Sequence, residues 1–243
     1  MQRYFIYLQF DGTAYHGWQI QPNGISVQEI LQKAVSTLLR KETPITGAGR
    51  TDTGVHARMM TAHFDTEETL DTKLFAYKLN RMLPKDIAID SVVAVENSLH
   101  ARFSAQTRTY HYYIHKGKMP FRRRFSAEFN YNIDFDLMNE AATILLETKD
   151  FASFCKSHND AKTTFCNVMK ASWIAEDERC WFFEITADRF LRNMVRAVVG
   201  TLLDVGRKKI SISQFRQIVN SHKRTEAGES VPACGLFLWK IEY

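Results

Sequence analysis

Apolar and polar positions alternate from Arg3 to Phe10 among β-branched and aromatic side chains, and Asp11-Gly12-Thr13 follows with turn chemistry. A first strand is predicted there. From Val27 the apolar positions Ile30, Leu31, Ala34, Val35, Leu38 and Leu39 recur with helical period, and Ser26-x-x-Glu29 ahead of them has the form of a capping box. The same two periods predict a strand over 55–64, a helix over 69–83 ended by Pro84, and a strand over 87–95. The order then begins again, with a strand at 108–115, a helix at 136–146, strands at 165–174 and 180–187, helices at 189–203 and 213–220, and a last strand at 235–243. Residues 116–130 and 153–164 carry the least pattern. Each half thus reads strand, helix, strands, helix, strand. That suits an α+β protein of two ferredoxin-like (βαββαβ-type) halves, 1–103 and 104–243, whose antiparallel sheets join across a central cleft.

Composition narrows the class. Of 243 residues, 45% are hydrophobic and 24% charged, with 11 Gly and 5 Pro, which excludes a collagenous, low-complexity or mainly disordered chain. No run of about 18 apolar residues exists, and the first residues carry a polar side chain at every second or third position, so neither a membrane span nor a signal segment is expected. Cys155, Cys166, Cys180 and Cys234 show no C-x-x-C spacing and are expected as reduced thiols. A net charge of +5 leans towards a polyanionic partner.

Three segments carry candidate chemistry. In Gly47-Ala48-Gly49-Arg50-Thr51-Asp52-Thr53-Gly54-Val55-His56-Ala57, glycines frame an arginine two residues from an aspartate. Glycine there permits positive φ and close approach of a ligand, and it equally suits a tight connection into a strand. A phosphate-binding loop is excluded, because Val55-His56 stands where Lys and Ser or Thr are required. The Asp52-Thr53-Gly54 of an aspartic protease is set aside, since no second D-T-G supplies the partner carboxylate. In the second segment Arg189, Arg192 and Arg196 fall at i, i+3 and i+7 of a predicted helix, opposite Phe190, Leu191, Met194, Val195, Val198, Val199 and Leu202. One cationic face and one core face are expected, the former suited to solvent, to a phosphate backbone or to a buried carboxylate. The third segment, His100 to Tyr113, interleaves aromatics with arginines as base stacking and phosphate neutralisation require, although Tyr110 and Tyr112 also suit a sheet face packed on core. His111 and His115 stand apart from other ligand side chains, so no metal site is expected.

Taken in order, these segments resemble the tRNA pseudouridine synthase A family. The matching features are Tyr15-His16-Gly17-Trp18-Gln19, Ser26-Val27-Gln28, the box at 47–57, Leu83-Pro84-x-Asp86-Ile87, His100 to Ala105, Asp150-Phe151-x-Ser153-Phe154, Phe190-Leu191-x-x-Met194-Val195-Arg196 and Gly235-Leu236. The resemblance implies an enzyme that converts uridine to pseudouridine at positions 38–40 of the tRNA anticodon stem-loop, with no metal and no organic cofactor. It implies Asp52 as the catalytic aspartate, acting on C1′ as nucleophile or on C2′ as base. Tyr110 would stack on the uracil and help remove the carbon 5 proton, and Arg196 would pair with Asp52 and keep it ionised. Arg50 would fill the space of the extruded base and contact phosphate, with His56, Arg102, Arg189 and Arg192 completing the RNA site in the cleft. Arg122 to Arg124, Arg207-Lys208-Lys209 and Lys223-Arg224 would grip the tRNA backbone. A C2 homodimer sharing one tRNA in the cytoplasm is implied as well. Thr53 departs from the Ala or Ser expected after the aspartate and is small enough to leave the assignment standing. The rival is a noncatalytic RNA-binding protein on the same scaffold, which would have no use for Asp52.

Overall fold

In a computed structural model, which describes residues 1–156 and 163–243, the opening alternation becomes strand β1 (Gln2–Phe10). Helix α1 (Val27–Leu39) begins where the apolar period begins, because Ser26 Oγ accepts the Glu29 N–H at 3.2 Å. This is the serine half of the expected box. The reciprocal form is found instead at α5 (Ile212–Ser221), between Ser211 and Gln214. The other elements are β2 (Thr46–Gly47), β3 (His56–Thr66), α2 (Thr72–Met82), β4 (Ile87–Val95), β5 (Thr107–Lys116), β6 (Ala127–Phe129), α3 (Phe135–Glu147), β7 (Val168–Asp177), β8 (Cys180–Ala187), α4 (Met194–Gly206) and β9 (Leu236–Glu242). The chain is therefore α+β, with mostly antiparallel strands, and divides into two compact units, Met1–Gln106 with Phe237–Tyr243, and Thr107–Leu236.

In the first unit β1 lies between β4 and β3, antiparallel to both. The far edge of β3 is shared: its start pairs in parallel with β9 (His56 opposite Phe237), and its second half pairs antiparallel with β2 (Ala62 opposite Gly47). Arg3 faces Asp65 across β1 and β3 and holds both carboxylate oxygens at 2.8 Å. On the helix side Tyr4 stacks on Phe64 and Phe64 on Phe75 of α2, at centroid distances of 5.6 and 5.8 Å. The Asn80 amide of α2 both donates to and accepts from the Ile89 backbone of β4.

In the second unit β8 lies between β5 and β7, antiparallel to both, and β6 runs parallel to β5. Here Asn139 of α3 clasps the Trp173 backbone of β7 as Asn80 clasps Ile89. Strand β6 falls in a stretch that carried no pattern, and β7 starts at Val168, Phe165 making only an isolated bridge with Asp150. Part of the other patternless stretch, 157–162, lies outside the described residues.

The helix expected over 189–203 is corrected. It begins at Met194, so Arg189 and Arg192 are not on it and the i, i+3, i+7 stripe does not form. The backbone shows the break: Asn193 takes a left-handed φ of 65° at the N-cap, while ahead of it the Asp188 carboxylate accepts the N–H groups of Arg189 and Asn167 at 2.7 and 2.8 Å. Nor does α4 have a solvent face: every residue but Arg196 and Asp204 is buried, because the segment before Val231 crosses it. A Cβ on Gly200 would lie 1.8 Å from the Glu229 carbonyl oxygen, so only glycine admits that crossing.

Among the described residues no helix is long and apolar enough to cross a membrane. None of the four cysteines forms a disulfide, and three of them are buried.

Two buried imidazoles give the fold a pH dependence. Burial, with Arg3 and His100 beside it, lowers the pKa of His63 to about 4, and burial lowers His111 to about 4. Both folded values lie below the ordinary 6.5, so as pH falls the unfolded chain takes up protons before the folded one. Their contribution is whole above about pH 6.5 and is lost progressively towards about pH 4. Thermal unfolding should show Tm falling through this window, and His63→Gln should flatten the slope; a wild-type Tm constant between about pH 6.5 and 5 would contradict it.

Candidate active site

The glycine-framed box of the first unit is built by backbone contacts. Strand β2 enters it, Ala48 N donates to Thr61 O at 2.8 Å, and Asp52 O accepts from Val55 N at 3.1 Å. That last bond closes a tight turn whose third residue, Gly54, has φ 76°, the conformation such a turn demands of glycine. Asp52 therefore heads a turn rather than a flexible loop, and it is half-buried. Gly47 serves a different end: a Cβ there would lie 2.3 Å from the Trp18 indole nitrogen. Gly49 has open space around it, so sterics do not explain it.

The segment Tyr15 to Trp18 clamps this turn. Trp18 N donates to Thr51 O and Gly54 N to Tyr15 O, each at 3.3 Å. Gly17 has φ 81° and comes so near that a Cβ would stand 2.2 Å from Thr51 O, while one on Gly12 would stand 2.0 Å from Val55 O. The clamp is itself anchored to α1, whose first N–H groups, on Val27 and Gln28, donate to Gly17 O and Trp18 O at 3.2 and 3.0 Å. The Gln28 side chain reaches Ile45 O at 2.7 Å, just ahead of β2. Tyr15 donates to Asp86 Oδ1 at 2.6 Å, and burial with the Asp86 charge raises its pKa well above the usual phenol value. Four of the motifs that are separate in sequence, those at 15–19, 26–28, 47–57 and 83–87, thus form one construction around Asp52.

His56 is fully buried, its ring stacked on Phe237 at 4.6 Å, and its Nδ1 accepts the Gly12 N–H at 3.0 Å. Any part it has in binding passes through the loop it holds. Arg50 is exposed, and Thr51 Oγ1 is buried without a hydrogen-bond partner among the described residues. Arg102 is exposed too, its guanidinium 5.6 Å from the Phe103 ring, on a loop ordered by His100 Nδ1, which accepts from Arg102 N and Phe103 N.

In the second unit Tyr110 stands on β5 opposite Ile185, half-buried, with the Phe190 ring edge-on at 4.9 Å and 78°. Phe190 was expected on a core face of a helix. Its true place is the loop before α4, which begins only after the left-handed Asn193. Tyr112, two residues on, is buried and donates to Pro232 O at 2.8 Å, which agrees with a sheet face packed on core. Arg196 is half-buried near the start of α4, where its Nε donates to Val231 O at 2.7 Å and its carbonyl accepts Val231 N at 3.2 Å. Gly235 passes 2.6 Å from Tyr113 O at the position a Cβ would take, which accounts for the glycine of the last motif.

The basic residues expected to grip a backbone have unequal duties. Arg224 donates to Ala227 O, Gly228 O and Ser230 Oγ and builds the segment crossing α4, so it is a structural residue. Arg122, Lys208, Lys209 and Lys223 pair with Glu176, Asp134, Asp204 and Glu226, and Arg207 lies 3.9 Å over the Tyr131 ring. Arg192 is exposed and Arg189 half-buried, both in the loop before α4.

The tRNA pseudouridine synthase family model matches residues 6–104 and 141–243. A tRNA pseudouridine synthase A of Bacteroides fragilis is 57% identical over 244 residues, covering 100% of this chain and 97% of that protein. One of Bacteroides thetaiotaomicron is 54% identical, covering 100% and 91%, and one of Thermoanaerobacter sp. is 40% identical over the whole of both chains. A solved RNA complex of Thermus thermophilus Cse3 aligns over 85% of this chain and 97% of its own at 10% identity and a TM-score of 0.25, too low a likeness to bear on fold or function. The chain belongs to the tRNA pseudouridine synthase family, a class of isomerases.

The clamp is open to a direct test. Gly17→Ala adds a left-handed strain and a contact with Thr51 O, and should lower stability by about 2 kcal/mol in urea unfolding. A loss below about 0.5 kcal/mol would show that the 15–18 segment does not hold the Asp52 turn.

Proposed function

We propose that the site acts at positions 38–40 of the anticodon stem-loop, with Asp52 as its catalytic carboxylate. As a member of its family the protein isomerises uridine of tRNA to pseudouridine. The rearrangement breaks the bond from C1′ to N1 of the base, turns the base, and forms a bond from C1′ to carbon 5. Carbon 5 then loses its proton and N1 gains one, so atoms and electrons balance without a redox cofactor. A carboxylate at the sugar is what the first step needs, as nucleophile on C1′ or base on C2′.

The observation that carries this reading is the clamped turn at Asp52. An aspartate beside polyanionic RNA weakens binding unless chemistry uses it, and this one is fixed by a positive-φ glycine and two backbone hydrogen bonds from the neighbouring segment. Tyr110 is the residue for the uracil: a ring whose plane is set by Phe190 is suited to stack on a base and to take part in removing the carbon 5 proton. Arg196, tethered through Nε, is the partner of the Asp52 charge. Arg50, Arg102, Arg189 and Arg192 contact RNA, and His56 contributes by ordering residues 11–12.

The same reading makes 1–103 the half that carries the aspartate and 104–243 the half that carries its partners, each ferredoxin-like. The strand order β4, β1, β3, β2 supports this in the first, and the order of β5, α3, β7, β8 and α4 along the chain in the second. Family membership supports a C2 homodimer at work in the cytoplasm.

Tritium release from tRNA transcribed with uridine labelled at carbon 5 tests the assignment. Wild type should release label and Asp52→Ala none, with tRNA affinity nearly unchanged. Release by the variant would overturn the role of Asp52, and no release from either, with tRNA still bound, would leave an RNA-binding protein on this scaffold.

A further inference from the structure

Strand β5 ends in a turn whose only large apolar side chain at the tip faces water completely: Phe121 is 100% exposed. Single exposed apolar side chains are common on protein surfaces, and what makes this one informative is the setting in which it is held. The backbone under it is ordered. Met119 O accepts from Arg122 N and Arg123 N at 2.9 and 3.1 Å, Phe125 N donates to Arg122 O at 2.8 Å, and Arg179 donates to Lys116 O and Lys118 O from the β7–β8 turn. Arg122 is pinned to Glu176 at 2.5 Å, and Ser126 Oγ bonds His115 Nδ1 at 2.9 Å at the loop's end. The ring is therefore presented on a braced turn.

Its surroundings are cationic. Lys118, Arg123 and Arg124 are exposed within six residues of one another, and the Arg124 guanidinium lies 5.8 Å from the Phe125 ring. A flat apolar ring among guanidinium groups matches one chemistry closely, that of a nucleic-acid strand with an unpaired base and flanking phosphates. A second copy of this chain meeting itself there on a twofold axis would bring the same arginines together. We propose that Phe121 is a stacking platform for an unpaired base of the bound tRNA, with Arg123 and Arg124 on the adjoining phosphates. This rests on the tRNA reading above and adds to it a contact made by residues that play no part in the isomerisation.

Because the Phe121 side chain is fully exposed among the described residues, its variants should fold normally. In filter binding with a tRNA transcript, Phe121→Ala should bind about tenfold more weakly and Phe121→Tyr like wild type, with kcat for tritium release unchanged and KM raised. Phe121→Trp should lose indole emission on adding tRNA beyond any loss seen in wild type, which reads stacking directly. Arg123→Gln should lower the slope of log K against log salt by about 1. Unchanged affinity of Phe121→Ala would overturn the proposal, as would a change in its sedimentation with tRNA binding intact, which would assign the ring to a protein contact. The two readings fail separately: wild type that binds tRNA through Phe121 yet releases no label refutes the catalytic role alone, and release with an inert Phe121 refutes only the platform.

Discussion

Backbone pressed on backbone is the constraint around which the first unit is arranged. Gly12 and Gly17 bring one loop so near the Asp52 turn that any side chain at either position would displace a carbonyl of Val55 or Thr51. Such contact leaves an aspartate little freedom, which is what the role proposed for Asp52 requires. The surrounding hydrogen bonds extend the constraint outwards. The clamp takes up donors of α1 that would otherwise lack partners, Gln28 ties α1 to the chain entering β2, and Tyr15 ties the loop to Asp86 ahead of β4. A change at any of these is transmitted to Asp52 through rigid elements.

The second unit uses the same physics differently. There the close approach is that of the segment before Val231 across Gly200, which encloses α4 and leaves Arg196 half-buried with its Nε committed to a carbonyl. A guanidinium so tethered has a fixed direction, which a solvated arginine on a helix face would not have. Tyr110 is treated likewise, an edge-on phenyl ring setting its plane.

Polar side chains do much of this work by binding backbone. Asn80 and Asn139 each clasp a strand, Asp188 ties its own segment to Asn167, and Arg224 builds a loop. This separates the basic residues into two kinds. Exposed pairs such as Lys208 with Asp134 are worth little and yield readily to a phosphate, whereas Arg224 is held by three acceptors of its own loop. Net positive charge therefore overstates the cationic surface open to a polyanion, since some basic residues are spent within the fold while Arg123, Arg124 and Arg192 stay exposed.

Elements whose signal is local could be read from the order of residues alone. Helix α1 and strands β4 and β8 match their predicted bounds, because period, capping serine and turn residues act within a few positions. The glycine box and the ordered motifs were legible too, and identified the family that full-length comparison shows. Contacts made in the folded protein settled the rest. Periodicity ran the helix of α4 back to Arg189, since a pattern of apolar and basic residues does not register a left-handed Asn193 or a distant loop that needs Gly200. It likewise assigned Phe190 to a helix face, whereas its ring stands edge-on to Tyr110, and neither pattern nor motif shows that the His56 ring is covered by Phe237 or that Arg224 is held by its own loop. Each of these turns on which groups meet in the folded chain, and that is settled by packing, where steric exclusion and hydrogen-bond pairing of buried groups choose among conformations that local preference leaves open.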